Sequence, residues 1–176
     1  MWVILWLAML GGSAGFGSPV PEERQYRPER CAYCSAETWC DLRQNGKWQC
    51  RGCRVVRYFQ YYLYPPIGYS LVDWSEKLLR DVYGTVNMET GLRQYHRVYG
   101  SMGKQNGKSF LTGGLPLYHL DVESVEPDPE VCGCAAAKDQ AGLVFKATTK
   151  LIRANSDLMR KFKIIDSRKR IVRRDN

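Results

Sequence analysis

The sequence predicts an α/β fold in which helices flank a parallel sheet, preceded by a small cysteine-rich module. Strand-like and helix-like segments alternate along residues 94–172, a glycine-containing loop joins the first of them, and two Cys-x-x-Cys pairs precede them. A chain of 176 residues can bury one core, or can hold a small module with an incomplete larger domain. The net charge of +8 favours polyanionic partners such as nucleic acid. We predict three parts, residues 1–30, 31–53 and 54–176.

The first part begins with an apolar run, residues 1–10, followed by small residues at 11–15. This order is typical of the core and cleavage region of a secretory signal. No Lys or Arg precedes the run, and the run is too short for a comfortable transmembrane helix. We therefore expect a packed N-terminal segment or a misassigned start codon, with export as the less favoured alternative. Residues 18–30, rich in Pro, Glu and Arg, predict a linker.

The second part carries two Cys-x-x-Cys pairs separated by 15 residues, a spacing typical of zinc sites. Each pair brings two thiolates within reach of one tetrahedral metal. Asn45 and Gly46 predict a hairpin turn between the pairs, and hence a zinc-ribbon-like module that metal binding helps to fold. Disulfides or unligated thiols are the alternatives, although seven cysteines cannot all pair within one chain. The predicted ligands are Cys31, Cys34, Cys50 and Cys53, with Cys40 as a structural spare.

The third part opens with helical segments. Residues 55–64 are dense in aromatic and apolar side chains and predict a helix, which Pro65 and Pro66 end. Asp73 is expected to cap a helix that begins at Trp74 and ends near Gly84. If this region instead binds nucleic acid, its cations and rings would contact phosphates and stack on bases. The residues concerned are Arg54, Arg57, Tyr58, Tyr61 and Tyr62, which a core helix explains better.

Further along, residues 94–99 alternate in polarity and predict a strand, and residues 110–120 predict a helix that Pro116 kinks or shortens. Residues 131–137 predict a buried strand, with Cys132 and Cys134 as small core residues. Asp139 is expected to cap a helix over residues 140–154, and residues 164–172 predict a hairpin. The two histidines, His96 and His119, are isolated and are expected to be structural.

The C-terminal stretch, residues 150–176, holds ten Lys or Arg against three Asp. Such a basic segment either contacts DNA or is a solvated tail, and the sequence alone does not favour one over the other.

The loop at residues 101–109 predicts phosphate binding. Backbone N–H groups of a tight loop cradle phosphate oxygens, and the following helix directs its positive N-terminus at them. Lys108 would reach the β and γ phosphates, and Ser109 would hold Mg²⁺ through its hydroxyl. The pattern departs from G-x-x-x-x-G-K-[ST], because Met102 occupies the first glycine position and Gly103 follows one residue late. The alternative is a polar loop in an unrelated fold.

Several segments in order resemble the front part of the terminase large subunit of tailed phages. The loop and its approach are residues 91–99 (GLRQYHRVY) and 103–109 (GKQNGKS), and the similarity covers roughly residues 54–172. Matching segments elsewhere are LVDW at 71–74, LRDVYGTVN at 79–87, LYHL at 117–120 and EVCGCAAAKDQA at 130–141.

This resemblance implies a partial P-loop NTPase fold with a deviant Walker A loop. It implies that the chain is the ATP-binding part of a phage DNA-packaging motor, in which ATP hydrolysis drives translocation of double-stranded DNA. The other implied partners are the small terminase subunit and the portal, with a homo-oligomer when complete, in the host cytoplasm and without a membrane. Lys104 would be the variant basic residue near the phosphates. The residues expected to bind ATP and Mg²⁺ are Lys104, Asn106, Gly107, Lys108 and Ser109.

Departures from the family pattern leave enzymatic activity open. Ser75 follows Trp74 where the family usually has a Gln thought to contact adenine. No apolar run ending in Asp-Glu follows residue 140, and no acidic cluster suits a two-metal nuclease, so we expect weak ATP binding and slow hydrolysis by this chain alone. The main alternative is a zinc-dependent nucleic-acid-binding module without enzymatic activity. A secreted disulfide protein is the third possibility.

Overall fold

The computed structural model describes residues 26–42, 47–95, 97–103, 105–123 and 130–174. The described chain forms two compact units, each built from two stretches of sequence. One unit contains the described residues of 26–57 and 72–95, and the other contains those of 58–71 and 97–174. The predicted boundary between residues 53 and 54 stays a prediction. Within the described residues, no helix is long and apolar enough to cross a membrane.

The first unit begins with an antiparallel three-stranded sheet. Its strands are β1 (Tyr26–Arg30), β2 (Glu37–Leu42) and β3 (Trp48–Cys50), in the order β1-β2-β3. The prediction of a linker is therefore wrong for residues 26–30. Strand β1 tolerates Pro28 because it lies at the edge of the sheet, where one backbone N–H can be missing. The turn predicted at Asn45 and Gly46 lies outside the described residues.

Helix α1 (Arg51–Tyr58) follows β3 directly, and helix α2 (Asp73–Gly84) completes the first unit. The structure places Val72, not Asp73, at the N-cap of α2, and the Ser75 hydroxyl donates to the Val72 carbonyl over 2.8 Å. Asp73 still lies in the first turn, where a carboxylate interacts favourably with the helix dipole. Leu79 and Tyr83 are the buried apolar residues of α2.

The second unit is mostly helical. After a π-helical turn (Phe59–Leu63) and a 3₁₀ turn (Pro65–Ile67), it contains α3 (Lys108–Tyr118), a second π-helical turn (His119–Glu123), α4 (Lys138–Ala154) and α5 (Ser156–Lys161). Strands β4 (Phe162–Ile165) and β5 (Arg170–Arg173) form the predicted C-terminal hairpin. The predicted helix over residues 55–64 is confirmed, and Pro116 lies inside α3 without ending it.

The strands predicted at residues 94–99 and 131–137 are wrong, since the described residues of both segments have no ladder partner. Every ladder in the described part of the chain is antiparallel, so the predicted parallel sheet is also not observed there. The physical reason is that a strand needs a neighbour to satisfy its backbone groups, which local sequence cannot supply. Cys132 and Cys134 are exposed rather than small core residues.

The core of the second unit depends on close packing between α3 and α4. A Cβ at Gly113 would lie 2.9 Å from the Thr148 amide nitrogen, and one at Gly114 would lie 2.5 Å from the Phe59 ring. The Thr148 hydroxyl, which is buried, donates to the Gly113 carbonyl over 2.9 Å. Glycine at these two positions therefore lets α3 lie directly against its neighbours. The large, fully buried side chains in the described part of this unit are Phe59, Leu63, Leu117, Tyr118, Leu151, Ile152, Leu158 and Phe162.

The second unit also contains a polar cluster of Tyr58, Tyr62, Asp121, Asp157 and Lys161. Tyr58 donates to the Asp121 carboxylate over 3.2 Å, and Tyr62 donates to Asp157. The Lys161 ammonium lies 3.0 Å from Asp121 and 3.1 Å from Asp157, and the Asp121 side chain is only 6% exposed. Because the buried carboxylate is both paired and hydrogen-bonded, the cost of removing its charge from water is offset.

Candidate functional site

The predicted phosphate loop leads into the N-terminus of α3. Gly107 is the N-cap residue, with φ at +72° in the left-handed region, where a glycine is favoured. Lys108 and Ser109 are then the first two residues of the helix. The sequence therefore turns sharply at Gly107 and directs the beginning of an 11-residue helix toward the loop.

The N-terminus of α3 carries no side-chain cap. The amides of Phe110 and Leu111 donate to the Gly107 carbonyl over 3.0 and 3.1 Å. The amides of Lys108 and Ser109 come before them, where a helix has N–H groups without an intrahelical acceptor. This end of the helix is consequently a suitable place for an anion.

Lys108 folds back over the loop. Its ammonium donates to the Gly103 carbonyl over 2.8 Å, while Ser109 and Asn106 are exposed. Asn106 also faces Gly103, since a Cβ at Gly103 would lie 3.5 Å from the Asn106 side-chain nitrogen. Four of the five predicted residues therefore line one turn, and the fifth, Lys104, lies outside the described residues.

Aromatic side chains support the same end of α3. The Phe110 ring lies 4.8 Å from the Tyr69 ring, and the Lys150 ammonium lies 5.2 Å from the Phe110 ring centroid. Tyr69 remains partly exposed. Sequence reasoning did not identify Tyr69 or Lys150, because no motif or spacing links them to the loop.

The four predicted metal ligands come together in the first unit. Cys31 and Cys34 lie in the turn between β1 and β2, which Ser35 completes with a positive φ of 59°. Cys50 ends β3, and Cys53 lies in the first turn of α1. The second pair therefore occupies a strand–helix junction.

The four sulfur atoms all lie within 4.8 Å of one another. The Cys34 and Cys50 sulfurs are 3.8 Å apart, which matches the separation of about 3.8 Å expected for two thiolates on a tetrahedral zinc with Zn–S bonds of about 2.3 Å. All seven cysteines are free, and 3.8 Å is much longer than a disulfide bond. Cys40, as predicted, is not among these four sulfurs, and its thiol donates to the Glu29 carbonyl over 3.5 Å.

The cluster has the hydrogen-bond donors that thiolates need. Backbone amides of Tyr33 and Cys50 approach the Cys31 sulfur to 3.5 and 3.4 Å. The amide of Cys53 lies 3.3 Å from the Cys50 sulfur, and the Arg80 guanidinium lies 3.1 Å from the Cys53 sulfur.

Contacts in the cluster shift the thiol pKa values of Cys50 and Cys53 in opposite directions. Hydrogen bonds from the Cys50 thiol and from Arg80 lower the pKa of Cys53 to about 5. The hydrogen bond to Cys53, together with burial, raises the pKa of Cys50. One thiolate is therefore already favoured in the cluster.

Three of the five residues of the alternative nucleic-acid surface are buried or half-buried. Arg54 and Tyr58 are buried, and Tyr62 is half-buried with its hydroxyl on Asp157. Arg57 and Tyr61 are exposed. The interpretation of these tyrosines as part of a core helix is confirmed for the buried Tyr58, holds in part for the half-buried Tyr62, and is wrong for the exposed Tyr61. His119 is buried against Tyr118, consistent with a structural role, and His96 lies outside the described residues.

The C-terminal hairpin presents cations to solvent. The turn between β4 and β5 is a 3₁₀ turn (Asp166–Arg168) followed by Lys169 with φ at +48°. The exposed basic residues of the hairpin and its end are Lys163, Arg168, Lys169, Arg170, Arg173 and Arg174.

Residues 73–175 match the family described as "Terminase large subunit, ATPase domain". The fold is similar to the crystal structure of the HK97 bacteriophage large terminase, with 23% identity over 70% of this chain and a TM-score of 0.53. This chain covers 25% of that terminase. No curated protein sequence matches. The family match includes Lys108 and Ser109 and begins after the four clustered cysteines.

Proposed function

Since this chain belongs to the family of terminase large subunit ATPase domains, we propose that it binds ATP with Mg²⁺ at the N-terminus of α3. It would serve as the ATP-binding part of a phage DNA-packaging motor, in which hydrolysis is coupled to translocation of double-stranded DNA. The observation that carries the proposal is the left-handed Gly107 followed by Lys108 and Ser109 at the uncapped start of α3.

Each loop residue has a role that follows from its position. The Lys108 ammonium, held on the Gly103 carbonyl, would exchange this neutral acceptor for the β and γ phosphate oxygens. The exposed Ser109 hydroxyl would bind Mg²⁺. Gly107 allows the backbone to approach the phosphates, and Asn106 and Lys104 complete the predicted loop. The Thr148–Gly113 hydrogen bond and the glycine contacts of α3 hold this loop's helix in place.

Binding of a fluorescent ATP analogue with Mg²⁺ tests the proposal. Lys108→Ala removes the proposed phosphate contact, whereas Lys146→Ala removes an exposed lysine from α4 and serves as the control. We expect a loss of affinity of about 10-fold or more for Lys108→Ala, because a charge-assisted phosphate contact contributes about 1.5–3 kcal/mol. Equal affinities for both variants, in preparations with unchanged circular dichroism, would contradict the proposal.

For the DNA partner, we propose the exposed basic hairpin as a contact. Phosphate contacts by Lys and Arg release counterions, so the logarithm of affinity falls with the logarithm of salt in proportion to the contacts. Arg168→Gln with Arg170→Gln should reduce the salt slope by about two relative to the native chain, and Lys146→Gln should not. An unchanged slope in the double variant would mean that this hairpin is a solvated surface.

We further propose that Cys31, Cys34, Cys50 and Cys53 bind one Zn²⁺ ion. Their mutual separations suit tetrahedral zinc, and amides and Arg80 donate to their sulfurs. Metal content of the purified chain tests this, with Cys34→Ser as the ligand variant and Cys132→Ser as a control that removes another exposed thiol. We expect zinc in the native chain and the control but not in Cys34→Ser. Zinc retained by all three proteins would refute this ligand set.

The alternative function is a zinc-dependent nucleic-acid-binding module without enzymatic activity. The cysteine cluster favours it, with Arg57 lying 4.4 Å above the Tyr33 ring in the same unit. It requires DNA binding that chelators abolish and that ATP does not change. The packaging function instead implies the small terminase subunit and the portal as partners, a homo-oligomeric complete motor, and the host cytoplasm.

A further inference from the structure

Arg80 connects helix α2 to the cysteine cluster. One guanidinium nitrogen donates to the Cys53 sulfur over 3.1 Å. The other two nitrogens donate to the same Glu76 carboxylate oxygen over 2.9 and 2.7 Å. Glu76 lies one turn before Arg80 on α2, so it fixes the planar guanidinium in the orientation that reaches the sulfur.

The charge of a loaded centre gives this contact its significance. Four thiolates around one Zn²⁺ ion carry a net charge of −2, which remains largely on the sulfurs. Arginine stays protonated at all relevant pH values and is more weakly hydrated than lysine, so it suits a half-buried contact with a thiolate. The donated hydrogen bond would hold the Cys53 sulfur in its orientation as a ligand and offset part of the negative charge on it.

The backbone provides a second, independent contact. A Cβ at Gly52, which lies between Cys50 and Cys53, would be 3.1 Å from the Arg80 carbonyl oxygen and 3.2 Å from the Gly84 Cα. The ligand-bearing start of α1 and the end of α2 therefore touch through main chain. Helix α2 therefore packs against the same backbone segment that brings Cys50 and Cys53 into the cysteine cluster.

We propose that Arg80 is a positioning residue of the metal centre, which ties metal binding to the ordering of helix α2. This inference rests on the zinc site proposed above. Helix α2 is the first element of the region that matches the terminase ATPase family. The cysteine module, which precedes that region, would thus stabilise its first helix through Arg80 rather than act as an independent appendage.

Metal release from the full chain tests the proposal. Arg80→Gln removes the charge but keeps a hydrogen-bonding group, and Lys77→Gln breaks the neighbouring Lys77–Asp81 ion pair on the same helix without touching a cysteine. We expect Arg80→Gln to lose zinc to a chelator about 10- to 100-fold faster than the native chain, if the loss of metal affinity that follows removal of a group supporting a ligand is expressed in the release rate. Lys77→Gln should release zinc at the native rate.

A second variant covers the case in which Arg80→Gln does not fold. Glu76→Gln keeps the Arg80 guanidinium but weakens the contact that orients it. Zinc release should therefore be faster than from the native chain, by a smaller factor than in Arg80→Gln. Co²⁺ substitution gives a spectroscopic readout, since the sulfur-to-cobalt charge-transfer bands should shift in both variants and not in Lys77→Gln. Native release rates and native bands in Arg80→Gln and Glu76→Gln would overturn the proposal.

Hydrogen exchange tests the consequence for α2. Removing zinc from the native chain should increase exchange of the α2 amides and leave those of α4, in the other unit, unchanged. Unchanged protection of α2 after complete zinc removal would overturn the coupling. A native chain that never binds zinc would refute the metal site itself, which is a separate and distinguishable outcome.

Discussion

Replacing Gly113 by alanine tests how helix α3, and with it the loop at Lys108, is held. A Cβ at this position would lie 2.9 Å from both the Thr148 amide nitrogen and the Ala147 Cβ. Relief of the contact with the Thr148 nitrogen requires the backbones of α3 and α4 to separate by about 0.5 Å, because interiors are close-packed and cannot absorb an added methyl group. The separation would also stretch the 2.9 Å hydrogen bond from Thr148 to the Gly113 carbonyl.

The expected magnitude combines three effects. Overpacking a core costs about 1–3 kcal/mol, and weakening one buried hydrogen bond costs about 1 kcal/mol. Alanine is favoured over glycine within a helix by about 1 kcal/mol, which acts in the opposite direction. Gly113→Ala should therefore lower the free energy of unfolding by about 1–3 kcal/mol.

Urea unfolding followed by far-ultraviolet circular dichroism measures this change. Gly133→Ala is the matched control, because a Cβ there meets no atom within 4 Å. The control should unfold like the native chain, and Gly113→Ala should unfold at lower urea and bind ATP more weakly. If Gly113→Ala equals or exceeds the native stability, helix propensity outweighs packing and the role assigned to this contact is wrong.

Four further predictions concern stability. Thr148→Val should lower the free energy of unfolding by about 1–2 kcal/mol in urea titrations, because it leaves the buried Gly113 carbonyl without this donor. Hydrogen bonds from Tyr62, Arg160 and Lys161 lower the pKa of Asp157, so their stabilisation is present above about pH 4 and is lost as the pH falls through the lowered pKa. Asp157→Asn should flatten this acid dependence of the urea midpoint. Burial and the hydrogen bond to Asp157 raise the pKa of Tyr62 to about 12. A second loss of folding stability should therefore begin above about pH 10 and continue toward pH 12. Chelation of zinc should lower the melting temperature and increase proteolysis within residues 26–57, and an unchanged melting curve after confirmed metal loss would count against a structural metal.

Helices were the part of the fold that local sequence predicted well. The 3.6-residue periodicity of apolar side chains placed α4 within two residues of its observed start, because an amphipathic helix carries its own pattern. Helix α3 begins at Lys108, two residues before the predicted start, since the left-handed Gly107 already ends the loop there.

Strands were predicted less well because their stability depends on partners distant in sequence. Residues 94–99 alternate in polarity as a strand does, yet the described part of that segment pairs with no other strand. Conversely, residues 26–30 contain Pro28 and three charged residues and still form β1, because the cysteine turn at 31–34 returns β2 beside it. Alternating polarity alone is therefore not sufficient for strand formation, and a segment without it can still form a strand.

For the candidate site, spacing predicted the candidate ligand-binding residues and not the residues that contact them. The glycine before Lys108 and the two cysteine pairs are local patterns, and the structure places the four cysteines together. Arg80 contacts the Cys53 sulfur, 27 residues away in sequence, and Thr148 contacts the Gly113 carbonyl of α3, 35 residues away. No periodicity or motif connects such pairs, so a single sequence cannot reveal them.

Protection of Lys108 from amine modification tests the central claim of ATP binding most directly. The native chain is treated with an acylating reagent, with and without saturating ATP and Mg²⁺, and modification of each lysine is followed by peptide mass spectrometry. Lys108 should become at least several-fold less reactive with ATP and Mg²⁺, because its ammonium would be held by phosphate oxygens, while the exposed Lys146 should react equally in both conditions. Equal reactivity of Lys108 with and without the nucleotide, at concentrations that saturate other ATPases, would contradict the claim.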